Sequence, residues 1–336
     1  MKVYAPGKLI LSGEHAVVYG APALAMAVNR YASATVTREL LPQISFHLAD
    51  LAHRSRLTLN GLHHLKERIK RKYQRFVRGE YTIRQVLQKP FELAHLALGI
   101  FTEALNLSLP HGVKIHVESS IPMGCGMGSS AATIVCVMQA ISEYLNVPLS
   151  SDTLFQLALE AENMQHGRSS GLDLRMAIQG GCIYLQGQAM QVRQLPTQTF
   201  FLVNTGTPET STGQCVHHVA SLFQSQSLCS EFTQVTQTMD VALQANNTRG
   251  LMDVMRENQK LLTLIGVVPE KIRKFIAEVE SIGGAAKVCG AGAVQGERAG
   301  AVMALADDEA ALQAVCDAFS FSMVTICGET RGVHVL

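Results

Sequence analysis

The sequence is short of charge, of long apolar runs and of paired cysteines, and each shortage excludes a class of protein. Charged residues make up 16% of the chain, below the ~25% typical of globular domains. Twenty-eight Lys and Arg against 27 Asp and Glu leave a net charge of +1, which removes the strong positive field of a general nucleic-acid binder. The longest apolar runs, such as Ala21 to Val28, fall far short of the ~18 residues that suggest a membrane helix. The first residues, Met1 to Lys8, lack the apolar stretch of a secretory leader. The eight cysteines, at 125, 136, 182, 215, 229, 289, 316 and 327, include no CxxC pair. Neither a zinc cage nor a disulfide framework is therefore expected, and Val135-Cys136-Val137 reads as a reduced thiol in a core. These absences predict a cytoplasmic chain. Two common nucleotide signatures, GxxxxGK[ST] and GxGxxG, are missing as well.

What is present is enough for a large core. Hydrophobic residues are 47% of 336, a length that suits about two domains. Strands are predicted at Lys2 to Ala5, Leu24 to Val28, Tyr31 to Val36 and Ile44 to Leu48, on branched and alternating residues. Leu62, Leu65, Ile69, Tyr73 and Phe76 recur at helical spacing. The other face of that helix carries Lys66, Arg68, Lys70, Arg71, Lys72, Arg75 and Arg78, read as a solvated basic face. A second helical pattern runs from Thr82 to Leu105 with an interruption near Pro90. Further helices are expected over Ser129 to Leu145 and Asp152 to Gln165, with strands at Lys114 to Val117 and Cys182 to Leu185. The Gln-rich stretch from Gln186 to Thr199 lacks periodicity and is taken as the domain boundary. Beyond it, helices near Val216, Phe232, Asn247 and Glu270 mix with strands near Phe201, Lys287, Val302 and Val324, which suggests an α+β second domain.

Four segments carry chemistry. In Ile121-Pro-Met-Gly-Cys-Gly-Met-Gly-Ser-Ser-Ala-Ala-Thr133, glycines at 124, 126 and 128 let backbone amides approach an anion. The helix that follows adds unpaired N–H groups at the same point. A polyphosphate fits, and so does an ordinary glycine-rich helix start. Pro6 to Gly20 sets Lys8, Glu14 and His15 among apolar residues, where buried charges need partners. Gly283 to Gly296 is a third glycine-rich loop, weak alone. Glu160 to Asp173 holds the carboxylates: Glu162 near a helix end and Asp173 after a Ser/Gly loop. One could hold Mg²⁺, which takes few carboxylates, and the other could receive a proton. His166 is read as a loop hydrogen-bonder, and His63-His64 and His217-His218 as exposed helical pairs.

In this combination and order the segments resemble the GHMP small-molecule kinases, and within them the members that act on mevalonate. Gly13-Glu14-His15-Ala16-Val17-Val18-Tyr19-Gly20 is similar to their first motif, Pro122 to Ala132 to their phosphate loop, and Lys287 to Gly292 to their third motif. Glu162 with His166-Gly167 and Ser170-Gly171-Leu172-Asp173 resembles their metal and catalytic region, and Asn204 to Thr212 a segment that closes over mevalonate.

The resemblance implies an α+β, two-domain fold with the active site in the cleft between residues 1–190, joined by a final strand near 332–336, and residues 191–331. It implies ATP-dependent phosphorylation of the primary hydroxyl of mevalonate to 5-phosphomevalonate and ADP, a step towards isoprenoids. Asp173 and Lys8 map to the catalytic pair. Pro122, Gly124, Gly126, Gly128, Ser129, Ser130 and Ala131 map to the ATP contacts, and Ser129, Ser130 and Glu162 to Mg²⁺. Glu14, His15, Thr212 and Gly292 map to the substrate side. A homodimer is compatible with the resemblance; a membrane or nucleic-acid partner is not expected. Met127, Ser169, Leu174 and the run Ala293 to Gly300 depart from the family pattern. A kinase acting on phosphomevalonate is the nearest rival. A non-catalytic binding relative is disfavoured because Lys8, Glu162 and Asp173 are all present.

Overall fold

The computed structural model describes residues 1–107, 109, 111–187, 189–224 and 226–336. Its first half alternates strands and helices: β1 (Lys2–Ser12), β2 (Ala23–Glu39), β3 (Ile44–Leu48), β4 (His53–Leu57), α1 (Leu59–Val77), α2 (Glu92–Ala104), β5 (Gly112–Ser119), α3 (Ser129–Leu145), α4 (Ser151–His166), α5 (Leu172–Gln179), β6 (Cys182–Gln186) and β7 (Ala189–Arg193). The second half comprises β8 (Phe200–Asn204), α6 (Thr212–Val219), α7 (Gln226–Gln244), α8 (Thr248–Leu264), α9 (Glu270–Ser281), β9 (Ala285–Cys289), β10 (Ala301–Leu305), α10 (Glu309–Ala318), β11 (Ser322–Ile326) and β12 (His334–Val335).

These strands make two sheets. The larger runs β12-β1-β2-β5-β3-β4, with β6 added on β2 and β7 on β6. Its pairs are antiparallel apart from β3 with β5. The smaller is antiparallel in the order β11-β8-β10-β9. The C-terminal strand returns to the larger sheet, with Val335 opposite Val3. One core fills the space between the larger sheet and its helices, where α3 buries Ala131, Ala132, Ile134, Val135 and Cys136. A second core gathers Phe201, Phe232, Phe275 and Val302 and also takes in Ala16 and Ala21 from the first half of the chain. The two halves are thus packed together close to Glu14 and His15.

Several elements differ from expectation. β2 is one strand of 17 residues, not two, because β1 on one edge and β5 and β6 on the other satisfy it along its length. The helix expected from Thr82 begins only at Glu92; before it lies a short 3-10 turn, Ile83–Gln85. Pro90 cannot continue a helix ladder, which accounts for the break. The stretch from Gln186 to Thr199 is not featureless: β7 forms a hairpin with β6, Ile183 opposite Val192, while Gln188 lies outside the described residues.

The basic face of α1 is only partly solvated. Lys66 is buried and ion-paired to Glu67 and Glu103, Lys70 reaches Glu103 and Glu160, Arg68 reaches Glu92, and Arg75 reaches Glu80. α2 and α4 supply most of those carboxylates, so much of the positive charge is consumed at the helix contacts. Among the described residues no helix is long and apolar enough to cross a membrane.

Candidate active site

The glycine-rich loop leaves the start of α3 open. Thr58, Ser150 and Ser211 cap α1, α4 and α6 with side-chain oxygens. At α3 the capping position is Gly128, with φ 72° and no side-chain cap. Its first amides therefore lack the side-chain partner that α1, α4 and α6 possess, which is the arrangement a phosphate can use. A Cβ at Gly128 would stand 3.1 Å from Lys8 Cγ and 3.5 Å from Asp173 Oδ2, so the bare backbone lies directly against the expected catalytic pair. Gly126 does the same on the opposite side: a Cβ there would meet the Cys289 carbonyl at 3.4 Å and Gly290 Cα at 3.6 Å. The loop is seated between the two halves of the chain, and Ala301 N–H donates to the Cys125 carbonyl at 3.2 Å.

Local irregularity in β1 places Lys8. The β1–β2 register shifts between Pro6 and Gly7, as at a bulge, which re-aims side chains. The Lys8 amide then donates to the Met127 carbonyl at 2.9 Å. Lys8 Nζ lies 3.2 Å from Asp173 Oδ1, with the lysine side chain 5% and the aspartate 31% exposed. Asp173 stands in the first turn of α5 rather than on the preceding loop. Ser169 and Ser170 brace that turn, their hydroxyls accepting from the amides of Gly171 and Leu172.

Behind this pair sits Glu162, buried on α4. Burial, and then the Asp173 charge, push its carboxyl up to about 7, while the Ser169 hydroxyl and Lys8 oppose the rise. Ser169 Oγ donates to Glu162 Oε2 at 2.6 Å. The serine that departs from the family pattern therefore serves both the carboxylate and the loop. Ser130 Oγ is 3.2 Å from His166 Nε2, and burial holds His166 below the ordinary imidazole range against the pull of Asp173. Lys8, Asp173, Glu162, Ser130 and His166 form one electrostatic neighbourhood.

Glu14 and His15 lie one step further along β1 and its exit turn. The Glu14 carboxylate is ion-paired to Lys287 of β9, and both side chains are 0% exposed. Burial pushes the Glu14 carboxyl up, and Lys287, with a smaller contribution from Lys8, pulls it back. His15 Nε2 is 3.0 Å from the Ala291 carbonyl, and burial lowers its pKa to about 4. Gly292 is held in the same loop, where the Cys215 thiol donates to its carbonyl at 3.7 Å. Thr212 is exposed at the first position of α6. Among the described residues no hydrogen bond links it to the Lys8–Asp173 pair; in the same turn Gln214 accepts from Arg84 at 3.0 Å. Pro122 is half-buried at the loop's start, and Ser129 and Ala131 open α3.

Sequence reasoning gave Lys287 no role of its own. Its signal was the one that had marked Lys8: a lysine flanked by apolar residues, here Ala285-Ala286-Lys287-Val288-Cys289, every position of which is buried. The geometrically tightest group of metal-ligating side chains among the described residues lies elsewhere, at His63, Glu67 and Glu103. Lys66 and Lys70 already neutralise it.

Known proteins now place this architecture. Residues 92–181 match the family model for the GHMP kinases N terminal domain. The mevalonate kinase of Archaeoglobus fulgidus is 32% identical over 291 residues, covering 86% of this chain and 88% of its own. The chain therefore belongs to the GHMP kinase family, among its mevalonate kinases. The solved mevalonate kinase of Methanococcus jannaschii superposes with a TM-score of 0.82 at 23% identity, covering 98% of each chain. That of L. major, in complex with R-mevalonate, gives 0.72 at 21% identity, covering 99% of this chain and 97% of its own.

Proposed function

We propose that this chain transfers the γ-phosphoryl group of ATP to the primary hydroxyl of mevalonate, giving 5-phosphomevalonate and ADP. The observation that carries the reading is the 3.2 Å contact of Lys8 with Asp173 against the backbone of Gly128. It sets an acid/base pair beside an uncapped helix start. Phosphoryl transfer asks a protein mainly for in-line positioning and charge stabilisation. In this reading Asp173 accepts the proton of the attacking hydroxyl, and Lys8, 3.2 Å from it, stabilises the developing charge. The loop amides of Gly124 to Gly128 and the first turn of α3, including Ser129, Ser130 and Ala131, hold the phosphates, with Pro122 shaping the loop.

Magnesium fits the residues present. Glu162 and Asp173 repel each other across a buried space that Lys8 neutralises only in part, and the hydroxyls of Ser129 and Ser130 are near at hand. That is a hard-oxygen set suited to Mg²⁺. Glu162 with Ser129 or Ser130 would hold the ion, which when bound neutralises the triphosphate. On the acceptor side the reading assigns Glu14, His15, Thr212 and Gly292. Residues 1–190 with the last strand then form the nucleotide lobe and 191–331 the second lobe.

Phosphomevalonate is the rival acceptor, and its extra dianionic group calls for clustered Arg or Lys. Lys66, Arg68, Lys70 and Arg75 of α1 are paired with carboxylates, and Arg84 reaches α6 through Gln214. A coupled ADP-release assay over mevalonate, phosphomevalonate, galactose and homoserine tests the reading. The expected result is a kcat/KM highest for mevalonate. An equal or higher value for phosphomevalonate would sink it.

A further inference from the structure

The two halves of the chain are joined beside the acceptor side by two adjacent links. Lys287 of β9 pairs with Glu14, and the Ala291 carbonyl meets His15 Nε2 at 3.0 Å. Lys287 Nζ also donates to the Val288 carbonyl at 3.0 Å, so the ammonium is fixed at its own end. The Val288 amide donates in turn to Gln259 Oε1 of α8 at 2.9 Å. β9 is therefore braced from behind. What it braces is an unusual turn. His15 has φ 61° and ψ −51°, a region that non-glycine residues avoid and that persists only where neighbours enforce it.

Among the described residues two polar atoms in that turn have no hydrogen-bond partner: Glu14 Oε2 and His15 Nδ1 are both buried and unbonded. Native structures rarely leave such groups unpaired without a reason. A pair that served only to staple the halves would need neither a strained histidine nor two idle polar atoms. Buried ion pairs are in any case poor staples, since desolvation offsets much of their attraction. The Ala291 carbonyl can only accept, so His15 Nε2 donates to it and Nδ1 is left as an acceptor. The arrangement makes sense when that nitrogen and the free Glu14 oxygen are held ready to accept from a hydroxyl of the acceptor. Lys8 also acts on Glu14 through its charge. The charges thus alternate from Lys287 to Glu14 to Lys8 to Asp173.

We propose that Lys287 is a positioning residue for the acceptor, acting through Glu14. It neutralises one carboxylate oxygen, leaves the other free, and so locks the Glu14–His15 turn against the third glycine loop. It does not touch the reacting atoms. The proposal rests on the kinase reading for its kinetic arm only.

The test compares Lys287→Met, Glu14→Gln and the double variant with the parent enzyme. Melting temperature, kcat, both KM values and amide hydrogen exchange over residues 14–17 are measured for each. The expected result is a mevalonate KM raised at least tenfold in each single variant, with the KM for ATP within twofold of the parent. The double variant should be no worse than either single one, because the two residues act as one unit. It also leaves no unpaired charge buried, so it stays folded even where Lys287→Met alone does not, and it then carries the kinetic comparison. Exchange over 14–17 should be faster in every variant that folds. Multiplying effects in the double variant would overturn the proposal. So would a parallel rise in both KM values, or a double variant with the parent's mevalonate KM. Should the parent fail to phosphorylate mevalonate, the kinase reading falls and the exchange arm decides alone. Unchanged exchange over 14–17 in the double variant would then overturn the positioning role.

Discussion

Asp173 combines partial exposure with a lysine ammonium at 3.2 Å, so its charge is available for chemistry while its loss exposes little core. Asp173→Asn is expected to lower kcat by about two orders of magnitude or more, in line with what a positioned acid/base group contributes. Its melting temperature should stay close to the parent's. Steady-state kinetics beside a thermal melt checks both, and near-normal turnover would remove Asp173 from the chemistry. Residues of this kind were legible in the sequence because charge among apolar neighbours is costly and therefore informative. Lys8, Glu14 and His15 stood out in that way and Glu162 as a carboxylate near a helix end, and the structure buries all four. Lys287 carries the same apolar surroundings but was given no role of its own, since its partner lies 273 positions away and no local pattern encodes such a pairing. The same holds for Ser169: its bond to Glu162 depends on how the loop folds back over α4.

At the scale of elements, α3 shows what pattern reading does well. Its bounds, Ser129–Leu145, follow from a long apolar period bracketed by glycine and asparagine, signals that act within a few residues. β2 shows the opposite case. The polar Asn29-Arg30 step within it reads as a turn, and only the strands on both edges keep it extended. β7 escapes pattern reading for the same reason, since its short Ala-Met-Gln-Val-Arg run, exposed or half-buried throughout, owes its strand to pairing with β6. The uncapped start of α3 yields a sharper prediction. Gly128→Ala forces a side chain into φ 72° and within 3.1 Å of Lys8 Cγ. Gly79→Ala imposes similar strain at φ 78°, with no atom of the described residues beyond its chain neighbours within 4 Å. Both should lose about 1–2 kcal/mol of stability from backbone strain. Only Gly128→Ala should also raise the KM for ATP and lower kcat, by about tenfold or more for a loss of ~1.4 kcal/mol in binding or transition-state stabilisation. Denaturant titration of both variants, paired with kinetics, separates strain from site damage; equal kinetics in the two would deny the loop its phosphate role.

For the molecule as a whole, the buried titratable groups set opposing slopes on acid stability. His15 titrates near 4 when folded against an ordinary 6.5, so between those values the unfolded chain binds the extra proton. Stability from this group is complete above about pH 6.5 and is lost as pH falls towards 4. His95 and His166, also lowered by burial, act in the same direction. Glu162 acts in reverse. Its folded carboxyl titrates near 7 against an ordinary 4.5, so the folded chain binds the extra proton in that window and gains stability as pH falls through it. His15 and Glu162 are displaced by similar amounts in opposite directions, each worth about 3 kcal/mol, so Glu162 offsets about one histidine. The parent should therefore lose stability only gradually between pH 7 and 4.5. Glu162→Gln removes the compensating carboxyl and keeps the histidines. Its melting temperature should then fall more steeply with acid than the parent's, while the two converge in slope above pH 8. Saturating Mg²⁺ and ATP should steepen the parent's acid limb in the same way, because an ion held by Glu162 competes with the proton. Melts at pH 8, 7, 6 and 5, with and without nucleotide, measure both effects. A Glu162→Gln profile parallel to the parent's across that range would show that Glu162 stays ionised in the folded protein, and that the repulsion between the two carboxylates is not what keeps the site ready for a cation.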